Sequence, residues 1–230
     1  MFAKLKHVAI VSANYALVGR FYEAAFKMRV SGRARPESAV VVGDGYVGLN
    51  INPRRAGRQA GFDHFGFEVD DVETVFARLR EKYPAIQVLK RPGNRPFAGI
   101  TTHDPAGNVF DLSQKGMENR TDVYEDREWQ QERYIDHIAL RTVMPEALAQ
   151  FYVDVFGHRA ARAGSLGLQS GERRGFQEGA GGLDGTEPHL TPSPVGAGPE
   201  GEARLRLFAK CPFGKHQLAD PDGVLIDVSD

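Results

Sequence analysis

Three side chains of metal-ligand type, His7, His64 and Asp111, stand at matching places in a repeated pattern along this 230-residue chain. Two imidazoles and one carboxylate form the donor set of the non-haem Fe(II) facial triad, which leaves coordination positions open for substrate or oxygen. Zn, Ni and Mn also accept imidazole, so ligand type alone does not fix the metal. A single strand histidine is more often a hydrogen-bonded, half-buried residue than a ligand. What lifts these three is coincidence: each lies in a strand that opens or closes a repeat unit.

The repeat can be read directly. His7-Val8-Ala9-Ile10 leads to Phe21-Tyr22 and then Phe26, and His137-Ile138-Ala139-Leu140 leads at the same spacing to Phe151-Tyr152 and Phe156. Asp104-Pro105-Ala106-Gly107 is echoed by Asp220-Pro221-Asp222-Gly223. Each is followed at one offset by an aspartate, Asp111 or Asp227, and then a serine, Ser113 or Ser229. Such self-similarity signals duplicated supersecondary units.

Elements follow from periodicity. Residues 4–11 alternate and are β-branched, which predicts a strand. Asn14 is placed to cap a helix whose apolar face holds Leu17, Phe21, Ala24 and Ala25. Residues 38–43 and 46–52 predict a hairpin about Asp44-Gly45. The pattern restarts with a strand at 62–69 and a helix at 71–83 on Val72, Val75, Phe76 and Leu79. Strands near 86–90, 98–102 and 108–113 complete it. The expected fold class is therefore α+β: tandem β-α-β-β-β modules in two domains, 1–115 and 134–230, joined by a polar, charged linker at 116–133. The second domain is expected to be degenerate, because Gly/Pro-rich sequence from about 171 to 202 disfavours both strand and helix.

Alternation then assigns faces. His7 with Ala9, His64 with Gly66, Asp111 with Ser113, and Asn50 with Gly48 should share the face opposite Val8, Ile10, Phe65, Phe67, Phe110 and Leu112. Polar groups converging among small residues describe a small-molecule site with spare volume. In the second half only His137 and Asp227 echo ligands, and no strand histidine precedes Arg204-Leu205-Arg206 in register. That half reads as structural or substrate-gating. His158, His189 and His216 fall in loops or turns and carry no role.

The His7 strand with its Phe21-Tyr22 helix, the His64 strand and the run Asp104-Pro-Ala-Gly-Asn-Val-Phe-Asp111-Leu resemble the vicinal oxygen chelate superfamily, which includes glyoxalase I, extradiol dioxygenases and bleomycin-resistance proteins. The resemblance is strong over 4–114 and partial over 134–230. It implies paired modules whose mixed sheets close in a U shape around a divalent metal, Fe(II) first and Mn, Ni or Zn after it. It carries ligand roles onto His7, His64 and Asp111, the last usually Glu in the family. The glyoxalase pattern offers a further ligand from the fourth strand, where this chain has Asn50. The extradiol pattern has a tyrosine where this chain has Thr101. His103 is the nearest candidate for a catalytic acid/base, since imidazole titrates near neutral pH; packing in the turn beside Asp104 is its other reading. The implied activity is a metal-dependent dioxygenase or glyoxalase-like lyase acting on a small molecule with vicinal oxygens. A metal-free, drug-sequestering binding protein of the same superfamily is the alternative, and a degenerate regulatory subunit a third.

Other classes are disfavoured. A net charge of −1 gives no footprint for nucleic acid or an anionic membrane. No run approaches the ~20 apolar residues of a membrane helix, and the first residues lack a signal-peptide pattern, so a cytoplasmic location is expected. Gly43-Asp44-Gly45-Tyr46-Val47-Gly48 matches a dinucleotide fingerprint, but no helix follows it to hold a pyrophosphate. Cys211, the single cysteine, has no base beside it. The arginines at 54–58 and 91–95 are solvated loops by default, or face an anionic substrate at a cavity mouth. Paired modules of this kind often associate, which leaves room for a homo-oligomer.

Overall fold

The computed structural model of the chain describes residues 3–31, 39–92, 95–117, 121–124, 133–140, 142–157, 204–209, 216–219, 221 and 225–229. His158, His189, Cys211 and Asp220 lie outside these described residues.

The first strand, β1 (Ala3–Ser12), is followed by α1 (Tyr15–Phe26), then β2 (Arg29–Val30), β3 (Val40–Gly43) and β4 (Gly48–Pro53). The unit repeats as β5 (Gly61–Val69), α2 (Val72–Lys82), β6 (Leu89–Lys90), β7 (Ile100–His103) and β8 (Val109–Gln114). All eight strands form one mixed sheet in the order β2-β3-β4-β1-β5-β8-β7-β6. The two units meet where β1 runs antiparallel to β5. Each opening strand pairs in parallel with its own closing strand, β1 with β4 and β5 with β8. This is the tandem arrangement the sequence predicts. The hairpin turn is built by Asp44, whose carboxylate accepts from the Tyr46 and Val47 amides while Gly45 takes a φ of 98°.

One face of this sheet is the core. Leu5, Val8 and Ile10 of β1 join Phe65 and Phe67 of β5 and Phe110 and Leu112 of β8 in a single apolar cluster. Strict alternation would separate Leu5 from Val8. The pairing skips Lys6, and this β-bulge puts both on the core side. Helix α2 buries Val72, Val75 and Leu79 as predicted, with Asp71 capping it through the Glu73 and Thr74 amides. Helix α1 differs from expectation. It buries Val18, Tyr22 and Phe26, while Leu17 is 58% exposed and Ala24 and Ala25 face solvent. Two stripes of helical spacing compete here, and the one carrying two aromatics buries more area. Asn14 makes no side-chain cap; its backbone oxygen accepts from the Leu17 and Val18 amides.

The second half contributes β9 (Arg133–Ala139), α3 (Pro145–Phe156), β10 (Arg204–Ala209), β11 (His216–Ala219) and β12 (Leu225–Ser229). Their sheet order, β11-β12-β10-β9, repeats β7-β8-β5-β1 with the same strand directions. The bulge is also repeated: β9 skips Asp136 as β1 skips Lys6. Helix α3 packs on the first sheet's core face, where the Phe156 ring lies 4.5 Å from Phe67. Its Tyr152 hydroxyl donates to the buried Asp104 carboxylate at 2.8 Å. Asp104 also accepts from the Ala106 and Asn108 amides and the Asn108 side chain, so it fixes the turn before β8 and anchors α3 together. No helix among the described residues is long and apolar enough to cross a membrane.

Candidate metal centre

Sheet register brings the ligand-type residues to one place. His7 on β1 is level with Gly66 on β5, which is level with Asp111 on β8. His64 lies two residues before Gly66 and is level with Ala9. All three point away from the apolar core. One ligand atom from each of His7, His64 and Asp111 lies within 4.8 Å of the others. His64 Nε2 meets Asp111 Oδ2 at 3.3 Å.

Each member is held from behind. His7 Nδ1 lies 2.5 Å from the Tyr124 hydroxyl. The tautomer with Nδ1–H donating to that oxygen leaves Nε2 with its lone pair. His64 Nδ1 donates to Asp63 at 2.9 Å, and Asp63 is itself paired with Arg58. Asp111 Oδ1 accepts from the Thr101 hydroxyl at 2.5 Å. Tying the outer nitrogen of each imidazole is the arrangement that orients histidine metal ligands and raises their basicity. The donor set and its supports therefore fit a divalent ion.

Two features escaped the sequence reading. Asp63 and His64 are neighbours on one strand, and alternation sends them to opposite faces. A second bulge skips Asp63 in the β1–β5 pairing, so both line the same cavity. Tyr124 lies in the stretch expected to be a linker. Within it, residues 122–124 form a 3-10 turn tied to the β3–β4 hairpin through the Gly45 amide and Val123 carbonyl.

The spare volume expected beside Gly48 and Gly66 is also filled. A Cβ at Gly48 would lie 2.3 Å from the Tyr124 ring, and one at Gly66 would lie 2.6 Å from the Phe97 ring. Phe97, Ala98, Val41, Val123 and Tyr124 form a second small core on this face, with Phe97 stacked on His7 at 4.9 Å between centroids. The glycines admit aromatic rings rather than substrate. Their lack of side chains is the same sequence signal under either reading.

The remaining opening is a cavity of about 460 Å³ with the three ligand-type residues in its wall. Asn50 and Asn52 line it, as do Leu89 and Val109 and the arginines Arg55, Arg58, Arg91 and Arg95. Asn50 is buried, and its Oδ1 has no hydrogen-bond partner among the described residues. His103 ends β7 opposite Val109, with Nδ1 at 2.9 Å from the Asp104 carbonyl oxygen. It is not among the residues lining the cavity.

The electrostatics separate the two imidazoles. Burial, reinforced by the charge of His64, lowers the pKa of His7 to about 3, against the weaker pull of Asp111 and Asp63. Burial works the same way on His64, but its hydrogen bonds to Asp111 and Asp63 outweigh it and raise the pKa to about 9. Burial alone would raise Asp111; the hydrogen bond and charge of His64 hold it below the ordinary carboxylate value. At neutral pH the cluster is thus one neutral imidazole, one imidazolium and one carboxylate. A divalent cation would displace a single proton, that of His64.

In the second sheet, register places His137 level with Arg206 and Arg206 level with Asp227, the row that His7, Gly66 and Asp111 occupy in the first. Arg204 is level with Ala139, the position of His64 beside Ala9. The third ligand-type position is thus an arginine.

Residues 4–112 match the family model of the Glyoxalase/Bleomycin resistance protein/Dioxygenase superfamily. This is the span over which the sequence resembles the vicinal oxygen chelate superfamily, and the resemblance holds. No curated protein matches the chain significantly. Among solved structures, the Mn(II)-bound glyoxalase from Novosphingobium aromaticivorans is 13% identical, with a TM-score of 0.66 over 99% of this chain and 81% of that one. A catechol 2,3-dioxygenase is also 13% identical, with a TM-score of 0.66 over 97% of this chain and 86% of its own. The 2,3-dioxygenase LapB from Pseudomonas sp. KL28 is 12% identical, with a TM-score of 0.65 over 98% and 91%. At these identities the likeness shows a shared α+β fold.

Proposed function

Starting from a first half that carries the glyoxalase and dioxygenase fold, we propose that this chain is a divalent-metal-dependent enzyme acting on a small molecule with two vicinal oxygens. Extradiol ring cleavage is the reaction subtype favoured, and Fe(II) the metal. One observation carries the reading. His7, His64 and Asp111 converge within 4.8 Å, and each has its second polar atom already engaged. That is the donor set of a facial triad with its outer supports, better matched to oxygen chemistry than a set closed by a fourth protein ligand.

A bound ion would supply Lewis-acid attraction for two adjacent substrate oxygens, and Fe(II) would add redox capacity. The protein's part is positioning. Tyr124 and Phe97 hold the His7 ring, which stays neutral and ready to donate its lone pair. Thr101 fixes one Asp111 oxygen and leaves the other toward His64. Asn50 belongs to the cavity wall, and its buried Oδ1 has no hydrogen-bond partner among the described residues. His103 is assigned to the turn, where its ring is spent on the Asp104 carbonyl. The retained donor set disfavours the metal-free binder.

The test is aerobic and anaerobic assay with Fe(II), Mn(II), Ni(II) and Zn(II), using catechols and a hemithioacetal as probes. Oxygen uptake with a catechol, dependent on Fe(II), is the expected result. Turnover of the hemithioacetal alone would move the assignment to the glyoxalase type. Inactivity with every metal and probe would overturn the enzymatic reading.

A further inference from the structure

The cavity wall holds four arginines, Arg55, Arg58, Arg91 and Arg95, against two carboxylates, Asp63 and Asp111. Both carboxylates are already committed: Asp63 to Arg58 and His64, Asp111 to His64 and Thr101. Neither carboxylate is left to offset Arg55 and Arg91, which put positive charge at the opening of a chain whose net charge is −1. They come from two separate loops, one after β4 and one between β6 and β7, which converge on a single opening. Among the described residues, the side chains of Arg55 and Arg91 make no hydrogen bond or ion pair. Unpaired guanidinium groups gathered around a concavity suit an oxyanion, which they bind through paired N–H donors.

The same cavity wall carries two exposed apolar side chains, Leu89 at 51% and Val109 at 40%. Register connects them to the site. Leu89 is level with Thr101, Thr101 with Asp111, and Val109 sits two residues before Asp111 on its strand. Large apolar side chains left open inside a polar cavity mark where the hydrocarbon part of a ligand rests.

We propose that the substrate is an organic anion: vicinal oxygens at the His7–His64–Asp111 end, a flat or short hydrocarbon body against Leu89 and Val109, and a carboxylate or phosphate-type tail at Arg55 and Arg91. The vicinal-oxygen end rests on the metal-enzyme reading above; the anionic end rests on the arginines alone. Arg58 is left to hold Asp63, so it supports His64 rather than the tail.

The full chain is titrated by calorimetry with three matched probes: 3,4-dihydroxybenzoate, 3,4-dihydroxyphenylphosphonate and the neutral 4-methylcatechol. Each titration is run on metal-free protein and on protein supplied with Mn(II). At least one acid is expected to bind about tenfold or more tightly than 4-methylcatechol in both preparations, and the tighter acid identifies the tail. The Arg55→Gln/Arg91→Gln double variant is expected to lose most of that preference while melting as wild type does. Raising salt from about 50 to about 500 mM should shrink the wild-type preference, a readout that needs no variant. Equal binding of all three probes, no binding of any, or a preference insensitive to both salt and the double variant would overturn the inference. If the charge preference persists but Mn(II) tightens no probe, the metal-enzyme reading fails and the anion site stands.

Discussion

The protonation of His64 makes metal binding steeply pH-dependent, with a magnitude that can be worked from the site. Its pKa is raised from 6.5 to about 9 because Asp111 and Asp63 together outweigh burial. His7, lowered to about 3, is already neutral at pH 7, and Asp111 is already ionised. Only His64 must lose a proton to become a ligand, so binding near pH 7 should release about one proton per ion. At pH 7 about one His64 in a hundred is deprotonated, placing apparent affinity ~100-fold below its high-pH plateau. Affinity should climb by about one decade per pH unit from 6.5 and level off near 9. The same shift makes His64 stabilise the metal-free fold fully below its unfolded value of 6.5, with that contribution lost as pH rises through about 9. The assay is Mn(II) titration by calorimetry in two buffers of different ionisation enthalpy, repeated across pH. Asp63→Asn should move the levelling point to lower pH, since one of the two carboxylates holding the proton is gone. Proton release near zero at pH 7, with affinity flat across the range, would refute the assignment of His64 as a protonated partner of Asp111.

Three substitutions probe the supports. Tyr124→Phe removes the partner of buried His7 Nδ1 and should weaken Mn(II) binding by about 10–100-fold while costing ~1–3 kcal/mol of stability, as read by titration and denaturant unfolding. Gly66→Ala sets a methyl 2.6 Å from the Phe97 ring and 2.9 Å from His7 Cβ, so it should cost ~1–3 kcal/mol in denaturant unfolding and also weaken metal binding. Tyr152→Phe leaves the buried Asp104 carboxylate one donor short and should cost ~1–3 kcal/mol in the same measurement while Mn(II) affinity stays near wild type.

Much of the sheet was legible because strand alternation is a local rule. It put His7, His64 and Asp111 on one face and Phe65, Phe67, Phe110 and Leu112 on the other, and the structure agrees. It failed where the ladder departs from period two. Asp63 reaches the cavity only through a bulge, and no residue in Asp63-His64-Phe65 announces one. Lys6 is the companion case: a bulged lysine, fully buried, paired with Glu68 at 3.1 Å and lying over the Tyr46 ring. Tyr124 and Phe97 were missed for another reason. Each reaches His7 across a long separation in sequence, from stretches whose polarity or Gly/Pro content reads as loop. Small residues on the site face were visible as glycines, but whether substrate or an aromatic ring fills the gap is decided by those distant segments. In the second half, the His137 and Asp227 echoes pointed to a copied unit, but its bulge at Asp136, like that at Lys6, shows only in the strand pairing. The replacement of the His64 position by Arg204 is visible only once register is known.

The central claim is that His7, His64 and Asp111 hold one divalent ion together. A crystal of the full chain soaked in Mn(II), with anomalous diffraction collected near the manganese edge, tests it most directly. The expected map has a single strong peak bounded by the His7 and His64 Nε2 atoms and an Asp111 carboxylate oxygen, lost in the His64→Ala protein. A peak elsewhere, or none at these three side chains while His64 still meets Asp111, would contradict the account.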